Sequence, residues 1–220
     1  MSKIIPQKPI LIILYGYPGS GKTYTARQLN ETLLSAHLQA DRIRAELFES
    51  PQYDKKENTI INQLMNYMAE EFLNAGVSVI YDINANRISQ RFILRELAKK
   101  SHAENLLIWF QMDTETAYIR NKKRDHRRAD DKYSASWDKS SFKELISHMQ
   151  NPTNLENYLV ISGKHSFQTQ KNAILNKLRE MSVIYSNDTT NHLTMPGMVN
   201  LIPQVNNGRV DLARRNIVIR

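Results

Sequence analysis

The sequence predicts an α/β domain in which a central parallel β-sheet of about five strands is covered by helices on both faces. Two observations carry this prediction. Short runs of β-prone apolar residues alternate along the chain with longer segments in which apolar residues recur at helical spacing. Several of these runs are apolar at successive positions, which is typical of strands buried on both faces of a parallel sheet. The order of elements therefore predicts a three-layer sandwich with the sheet in the middle.

The first part of the chain predicts a strand, a glycine-rich turn, a helix and a second strand. The run ILIILY at 10–15 is the first strand, and apolar residues at helical spacing predict a helix over 24–36. A short second strand is expected at 38–40, followed by a helix over 42–49. Because parallel strands end at the same edge of a sheet, the turns after these two strands are expected to lie near one ligand crevice.

The middle of the chain continues the alternation. Asp54 and Glu57 have the spacing of a capping box, which predicts that a long amphipathic helix begins there, and Gly76 predicts its end. Ser141 and Glu144 have the same spacing and predict the start of a later helix. The other predicted elements are strands at 77–81, 106–112 and 158–161 and helices over 89–100, 114–128 and 167–181.

The character of the sequence changes after the last predicted helix. The stretch 182–220 contains Pro196, Pro203 and the turn signal NNG at 206–208 between two β-prone segments. We therefore predict one domain over 1–181 and a C-terminal extended arm or β-hairpin over 182–220.

Composition narrows the class of protein. Thirty Lys and Arg residues against 22 Asp and Glu give a net charge of +8, which suits a nucleic-acid partner but also any nucleotide-binding enzyme. No apolar run approaches the roughly 18 residues of a membrane span, so no membrane partner is expected. The absence of cysteine excludes a disulfide framework. No signal peptide is recognised near the N-terminus, and we expect a cytoplasmic protein.

The turn after the first strand carries a phosphate-binding pattern. It has the Walker A form GxxxxGKT, with the strand before it and the helix after it that this pattern requires. Glycines let backbone N–H groups point at a triphosphate, Lys22 reaches the outer phosphates, and Thr23 offers its hydroxyl to Mg²⁺. The sequence therefore predicts a P-loop NTPase fold that binds ATP and Mg²⁺. The predicted nucleotide-binding residues of the turn are Gly16, Tyr17, Pro18, Gly19, Ser20, Gly21, Lys22 and Thr23.

Two carboxylates follow predicted strands and are candidates for chemistry. Asp41 can accept the proton of an attacking hydroxyl, or it can simply cap the helix that follows. Arg44, one turn later, is a candidate for binding an anionic acceptor, or a solvated residue of the helix. Asp82 is a candidate Mg²⁺ ligand, with a plain turn residue as the alternative.

The loop after Asp82 and the helix that follows it hold the remaining acceptor candidates. We expect this loop to touch the acceptor because it starts at the carboxyl end of a strand that lies beside the P-loop strand in such sheets. The substrate-binding candidates there are Asn84, Arg87 and Arg91.

A basic segment is the candidate lid, expected over about 114–137. Six of the nine residues from 120 to 128 are Lys or Arg. Arg120 and Arg124 are four apart and share a face of the predicted helix, so they are expected to meet the ATP phosphates, with Lys22 and Arg124 as catalytic cations. The alternative is a solvated helix end that complements the helix dipole. Trp137, in a polar stretch after the lid arginines, is a candidate for stacking on a base or for ordinary packing.

Together these motifs resemble a family. The order P-loop, Asp-x-x-Arg after the second strand, and Arg-x-x-x-Arg lid is similar to P-loop kinases related to polynucleotide kinase, a group that includes zeta toxins, seryl-tRNA kinases and small antibiotic phosphotransferases. The resemblance covers roughly 10–181. It implies that Asp41 is the general base toward a 5′-hydroxyl, that Arg44 contacts the neighbouring acceptor phosphate, and that Arg120 and Arg124 engage ATP.

The expected function is transfer of the γ-phosphate of ATP to a hydroxyl, with a nucleic acid or nucleotide as the acceptor. Two alternatives stay open. One is a kinase for a small metabolite, nucleotide-sugar or antibiotic. The other is an ATP-binding switch or assembly factor that acts on nucleic acid without transferring phosphate.

Overall fold

The computed structural model describes residues 3–83, 86–128 and 131–185 of the chain. Asn84 and most of the predicted C-terminal arm, from residue 186 onward, lie outside these ranges. Within them the strands are β1 (Ile10–Gly16), β2 (Ser35–Gln39), β3 (Ser78–Asp82), β4 (Glu104–Gln111) and β5 (Tyr158–Ser162). The helices are α1 (Lys22–Thr32), α2 (Ala40–Leu47), α3 (Lys55–Asn74), α4 (Ile88–Lys100), α5 (Thr114–Lys122), α6 (Lys139–Ser147) and α7 (Phe167–Glu180).

The strands form one sheet in the order β2-β3-β1-β4-β5, and each neighbouring pair is parallel. β1 lies at the centre, where Ile13 pairs with Tyr81 of β3 and Gly16 pairs with Phe110 of β4. The carboxyl end of β1 therefore lies between those of β3 and β4. This arrangement confirms the predicted P-loop NTPase fold with a central parallel sheet.

Alternate residues of β1 enter two apolar cores, one on each face of the sheet. Ile10, Ile12 and Leu14 pack with buried residues of α1 and α7. Leu11 and Ile13 pack with buried residues of α3 and α4 on the other face. Because every residue of β1 is buried, the strand is apolar at each position rather than at every second one. The three predicted layers are confirmed.

Several element boundaries differ from prediction. β2 is Ser35–Gln39 rather than 38–40, and α2 is Ala40–Leu47 rather than 42–49. α1 ends at Thr32 instead of continuing to 36, because Ile4 exchanges backbone hydrogen bonds with Thr32 and Leu34, each 2.8 Å long, and draws the chain into β2. α5 ends at Lys122 instead of 128. α6 begins after Asp138, whose carboxylate accepts from the Ser141 N–H at 2.7 Å, so the cap predicted at Ser141 was wrong.

The predicted start of α3 is confirmed. The Asp54 side chain caps α3 by accepting a hydrogen bond of 2.8 Å from the Glu57 N–H. No helix in the described ranges is long and apolar enough to cross a membrane. The domain boundary at 181 and the terminal arm stay predictions.

Candidate active site

The phosphate-binding turn joins β1 to α1 at the centre of the sheet. Gly19 and Gly21 have φ of 86° and 94°, values that favour glycine. A Cβ on Gly19 would also collide with the carbonyl oxygen of Ala117 in α5. The Lys22 ammonium donates hydrogen bonds to the carbonyl oxygens of Gly16, at 2.7 Å, and Tyr17, at 3.0 Å. The turn thus brings a cation and a helix N-terminus to one point, the arrangement that holds a phosphate.

Asp41 lies in the first turn of α2, one residue past its start. The residue at the helix cap is Gln39, so capping does not explain Asp41. Burial and the nearby Asp82 carboxylate raise the pKa of Asp41 to about 6, against the opposing effect of Arg124, Arg44 and Lys22. The structure therefore brings this carboxylate to the phosphate turn. A carboxylate with a raised pKa that is still mostly ionised at neutral pH can take up a proton.

The cations of the site are themselves desolvated. Burial lowers the pKa of Lys22 to about 8, with Asp82 raising it and Arg124 lowering it further. Burial also lowers the pKa of Arg124, and three carboxylates, Asp131, Asp41 and Asp82, act in the opposite direction. These mutual effects place the two cations and the carboxylates in one electrostatic cluster.

Asp82 and Thr23 form a pair of oxygen donors at the end of β3. The Thr23 hydroxyl donates to one Asp82 carboxylate oxygen at 3.3 Å. The other oxygen lies 3.1 Å from Nε2 of His37 in β2. Mg²⁺ prefers oxygen ligands and is commonly bound by one or two protein groups plus substrate phosphates. The pair fits such an ion, and no cluster of three His, Cys, Asp or Glu ligands occurs in the described part of the chain.

Arg44 lines the cleft, but its guanidinium is engaged within the protein. Arg44 Nη1 donates to Glu57 at 2.9 Å and Nη2 to the Asn58 side chain at 2.7 Å. Its plane lies over the Tyr53 ring, 4.5 Å from the centroid. Only 4% of the residue is exposed. The structure thus brings Arg44 to the site as part of a buried network.

Arg91 and Arg87 are placed differently. Arg91 is 1% exposed and forms an ion pair of 2.7 Å with Glu156, so the structure does not bring it to the cleft. Its guanidinium also lies over the Tyr15 ring, 5.0 Å from the centroid. Arg87 is exposed and lines the cleft at the start of α4. Asn84 lies outside the described residues.

The two lid arginines do not share a helical face. Because α5 ends at Lys122, Arg124 lies in the following turn, and the shared helical face predicted for it with Arg120 was wrong. Arg120 donates to the carbonyl oxygen of Gly163 at 2.8 Å, and Arg124 donates to that of Ala135 at 2.8 Å. Both still line the cleft.

A cleft of about 1530 Å³ unites these groups at the carboxyl ends of β1, β2 and β3. One part lies at the phosphate turn. The other extends between α2, α3 and the segment before α6. Residues of predicted function that line it are Pro18, Gly19, Gly21, Lys22, Thr23, Asp41, Arg44, Asp82, Arg87, Arg120 and Arg124.

Two residues near the site were not predicted from the sequence. His37 falls between the helix predicted over 24–36 and the strand predicted at 38–40, and the pairing of β2 with β3 brings it to Asp82. Gly163 follows β5, and a Cβ on it would lie 2.5 Å from the Ser20 carbonyl oxygen, so it allows a close approach to the phosphate turn. A glycine two residues after a predicted buried strand was a signal for this role.

The family model described as AAA domain, AAA_33, matches residues 11–151, which is more than half of the chain. The chain belongs to the AAA_33 family. The matched range of this AAA_33 domain contains the phosphate turn, Asp41, Asp82 and both lid arginines. It ends before β5, so Gly163 lies beyond it.

Solved structures agree with the fold of this AAA_33 domain. APS kinase from Mycobacterium tuberculosis, in complex with AMPPNP and APS, is similar with a TM-score of 0.59 and 17% identity, over 79% of this chain and 99% of that one. A sugar kinase from Janibacter sp. has a TM-score of 0.58 and 16% identity, over 80% and 95%. Kti12 from Chaetomium thermophilum, in complex with ADP-AlF3, has 0.59 and 16%, over 80% and 100%.

At these identities the likeness of the AAA_33 domain to solved structures shows the fold. No curated protein matches the sequence at a significant level. The finer resemblance to polynucleotide kinases and zeta toxins stays a prediction.

Proposed function

We propose that the chain is an ATP- and Mg²⁺-dependent kinase that transfers the γ-phosphate to a hydroxyl, and that its acceptor is the 5′-hydroxyl of a polynucleotide or nucleotide. One observation carries this proposal: Asp41, with its pKa raised to about 6, shares a cleft with Lys22 and Arg124. Transfer to a hydroxyl calls for a carboxylate that can take up the proton of the acceptor, whereas nucleotide binding alone does not. Membership of AAA_33 and a fold shared with named kinases support the assignment.

The donor half consists of residues 16–23 together with Arg120 and Arg124. Backbone N–H groups of the turn and the N-terminus of α1 hold the phosphates, and the Lys22 ammonium neutralises their charge. Arg124, and Arg120 once released from the Gly163 carbonyl, add charge where it develops on the transferred group. The cations are partly desolvated, so their interaction with phosphate is stronger than it is in water.

The acceptor half centres on Asp41. The acceptor oxygen forms a bond to the γ-phosphorus, the bridging P–O bond breaks, and ADP leaves with the electron pair. The proton of the acceptor hydroxyl passes to the Asp41 carboxylate. Because Asp41 is still ionised at neutral pH, it can accept this proton without a preceding deprotonation step.

Thr23 and Asp82 would hold Mg²⁺, which supplies charge neutralisation at the β- and γ-phosphates when it is bound. His37 contacts the Asp82 oxygen that Thr23 does not use, and so fixes the orientation of the carboxylate. Lys55, Arg87 and Arg128 also line the cleft, and these cations favour an anionic acceptor over a neutral one.

The test is incubation with γ-labelled ATP and a panel of acceptors: 5′-hydroxyl RNA, 5′-hydroxyl DNA, tRNA, nucleosides, sugars and aminoglycosides. We expect label on a 5′-hydroxyl polynucleotide or nucleotide. A polynucleotide acceptor should also show a kcat/KM that falls steeply with salt, since counterions are released on binding. Label on a sugar or antibiotic alone would favour a small-molecule kinase, and slow hydrolysis without any labelled acceptor would favour a nucleotide switch.

Variants separate the two halves of the site. Asp41→Asn should abolish transfer but keep affinity for ATP, whereas Lys22→Ala should lose both. The matched control is Glu46→Gln, which neutralises an exposed carboxylate on the same helix, outside the cleft. Full turnover by Asp41→Asn would remove the proposed base.

A further inference from the structure

Tyr53 is held on the wall of the cleft by a set of buried contacts. Its backbone has φ of 57°, a left-handed conformation that bulky residues rarely adopt. The Glu57 carboxylate accepts hydrogen bonds of 2.8 Å from the backbone N–H groups of Gln52 and Tyr53. Arg44, ion-paired to the same carboxylate, covers the ring at 4.5 Å. Strained backbone persists where its surroundings fix it, and such residues cluster at ligand-binding sites.

Trp137 brings a second aromatic ring to the same place. Its ring centroid lies 5.6 Å from that of Tyr53, and the two planes meet at 71°. Trp137 lies between α5 and α6, outside both helices, and its backbone N–H donates to the buried Asn121 side chain at 3.1 Å. Both rings line the cleft that holds Asp41 and Lys22. The contact therefore joins Tyr53, on the wall of the cleft, to the segment predicted as the lid.

We infer that Tyr53 and Trp137 form an acceptor subsite that holds the nucleobase of the terminal nucleoside while its 5′-hydroxyl lies at Asp41. The inference rests on the proposed kinase function and names the group that the acceptor must carry. A flat base that enters between the rings replaces one edge-to-face contact with stacking on both rings. The planar guanidinium of Arg44 already lies over the Tyr53 ring and holds it in place.

The groups around the two rings suit a nucleotide better than a neutral sugar. Lys55, Arg87 and Arg128 line the same cleft as the two rings and are candidates for binding the 3′-phosphate of the terminal nucleoside. The Asp41 carboxylate is close enough to contribute to the raised pKa of Tyr53, after burial as the main cause. The Tyr53 ring and the proposed general base, Asp41, therefore line one cleft and interact electrostatically. An uncharged sugar offers neither a flat π-face nor a phosphate to these groups.

Fluorescence gives a direct test that does not depend on turnover. The chain has two Trp residues, so Trp109→Phe leaves Trp137 as the single indole. Trp109 packs edge-on against Tyr15 and Tyr158, outside this cleft. With AMPPNP in the donor site, diuridine monophosphate with a free 5′-hydroxyl is titrated, and ribose is the matched probe without a base. We expect a saturable change in Trp137 emission with the dinucleotide and none with ribose.

Kinetics of ring variants give the second test. Tyr53→Ala should raise KM for a 5′-hydroxyl oligonucleotide about tenfold or more, while Tyr53→Phe, which keeps the ring, should stay within about twofold. Trp137→Leu should raise KM to the same extent as Tyr53→Ala. It therefore tests the subsite even if Tyr53→Ala does not fold. The control is Tyr67→Ala, which removes a ring that is 63% exposed on α3.

The outcomes separate this subsite from the kinase activity. Unchanged Trp137 emission with the dinucleotide, or an unchanged KM in the folded ring variants, overturns the subsite even if phosphate is transferred. An equal response to ribose overturns the assignment to a base. A saturable change in Trp137 emission with the dinucleotide alone supports the subsite. If that change is seen but no acceptor is phosphorylated, the proposed kinase function fails and the subsite stands.

Discussion

Replacement of Asp41 by Asn is expected to stabilise the protein at the same time as it removes transfer. The pKa of Asp41 rises from the ordinary 3.8 to about 6 in the folded protein, chiefly through burial and then through Asp82. When the pKa of a carboxyl is higher in the folded than in the unfolded protein, the group favours the folded state most at a pH below its unfolded pKa. That contribution is lost as the pH rises from about 4 through about 6.

The magnitude follows from the pKa difference. A rise from 3.8 to about 6 corresponds to about 3 kcal/mol of folding free energy at about 1.4 kcal/mol per pKa unit. Two effects reduce this figure. Water screens a carboxylate that is only partly buried, and a negative charge in the first turn of α2 stabilises the helix by about 0.3–1 kcal/mol. We expect Asp41→Asn to be about 1–2 kcal/mol more stable than the wild type at pH 8.

The assay is urea unfolding of both proteins between pH 4 and pH 8, without nucleotide or Mg²⁺. The difference in unfolding free energy should be near zero at pH 4 and should grow through pH 6. Asp113→Asn is the control of opposite sign. A hydrogen bond from Lys164 lowers the pKa of Asp113, so its removal should cost stability at pH 8 and less at low pH.

Two results would refute the reasoning. If Asp41→Asn is less stable than the wild type at pH 8, the carboxylate is held by favourable contacts instead of being desolvated beside Asp82. If the gain in stability is the same at pH 4 and pH 8, it does not come from ionisation of Asp41.

Three further predictions concern residues that support the fold or the phosphate-binding site. Arg91→Ala should lower the unfolding free energy by about 3–5 kcal/mol in urea, because it leaves the buried Glu156 carboxylate uncompensated; a loss below about 1 kcal/mol would contradict this. His37→Ala should lower kcat about tenfold and raise the Mg²⁺ concentration for half-maximal rate, because Asp82 loses its support; an unchanged Mg²⁺ titration would rule this out. Gly19→Ala should weaken binding of a fluorescent ATP analogue, since the methyl group collides with the Ala117 carbonyl; wild-type affinity would show that α5 yields freely.

The sequence was sufficient for those parts of the protein that local patterns encode. The continuous apolar run of β1 identified a strand buried on both faces, and the glycine spacing after it identified the phosphate turn. The Asp54 cap was also correct, because a capping box acts within four residues. Asp82 was correctly predicted to lie at the end of a strand beside β1, because the fold itself defines that position.

Local patterns failed where distant residues decide the outcome. The basic run at 120–128 was predicted to be helical, but Asn121 and Arg124 bind backbone groups of Ala135 and Trp137 and turn the chain after Lys122. His37 was missed because its neighbour Asp82 lies 45 residues later in the sequence. The spacing of residues within one strand does not show which side chains of the neighbouring strand will lie beside them.

Arg44 and Arg91 show why a residue type does not fix its role. Each was a candidate for substrate binding, and in the structure each lies over a tyrosine ring and pairs with a buried glutamate, Glu57 or Glu156. Both glutamates also accept backbone N–H groups of a nearby loop.

The two networks differ in what they hold in place. Arg91 and Glu156 do not line the cleft, and the Arg91 guanidinium lies over Tyr15 in the core. The Arg44 network ends on Tyr53, whose ring lies in the cleft beside Asp41. Loss of Arg44 should therefore act through Tyr53, and its effect on KM for the acceptor should vanish when Tyr53 is already alanine. An additive effect of the two substitutions would mean that Arg44 touches the acceptor itself.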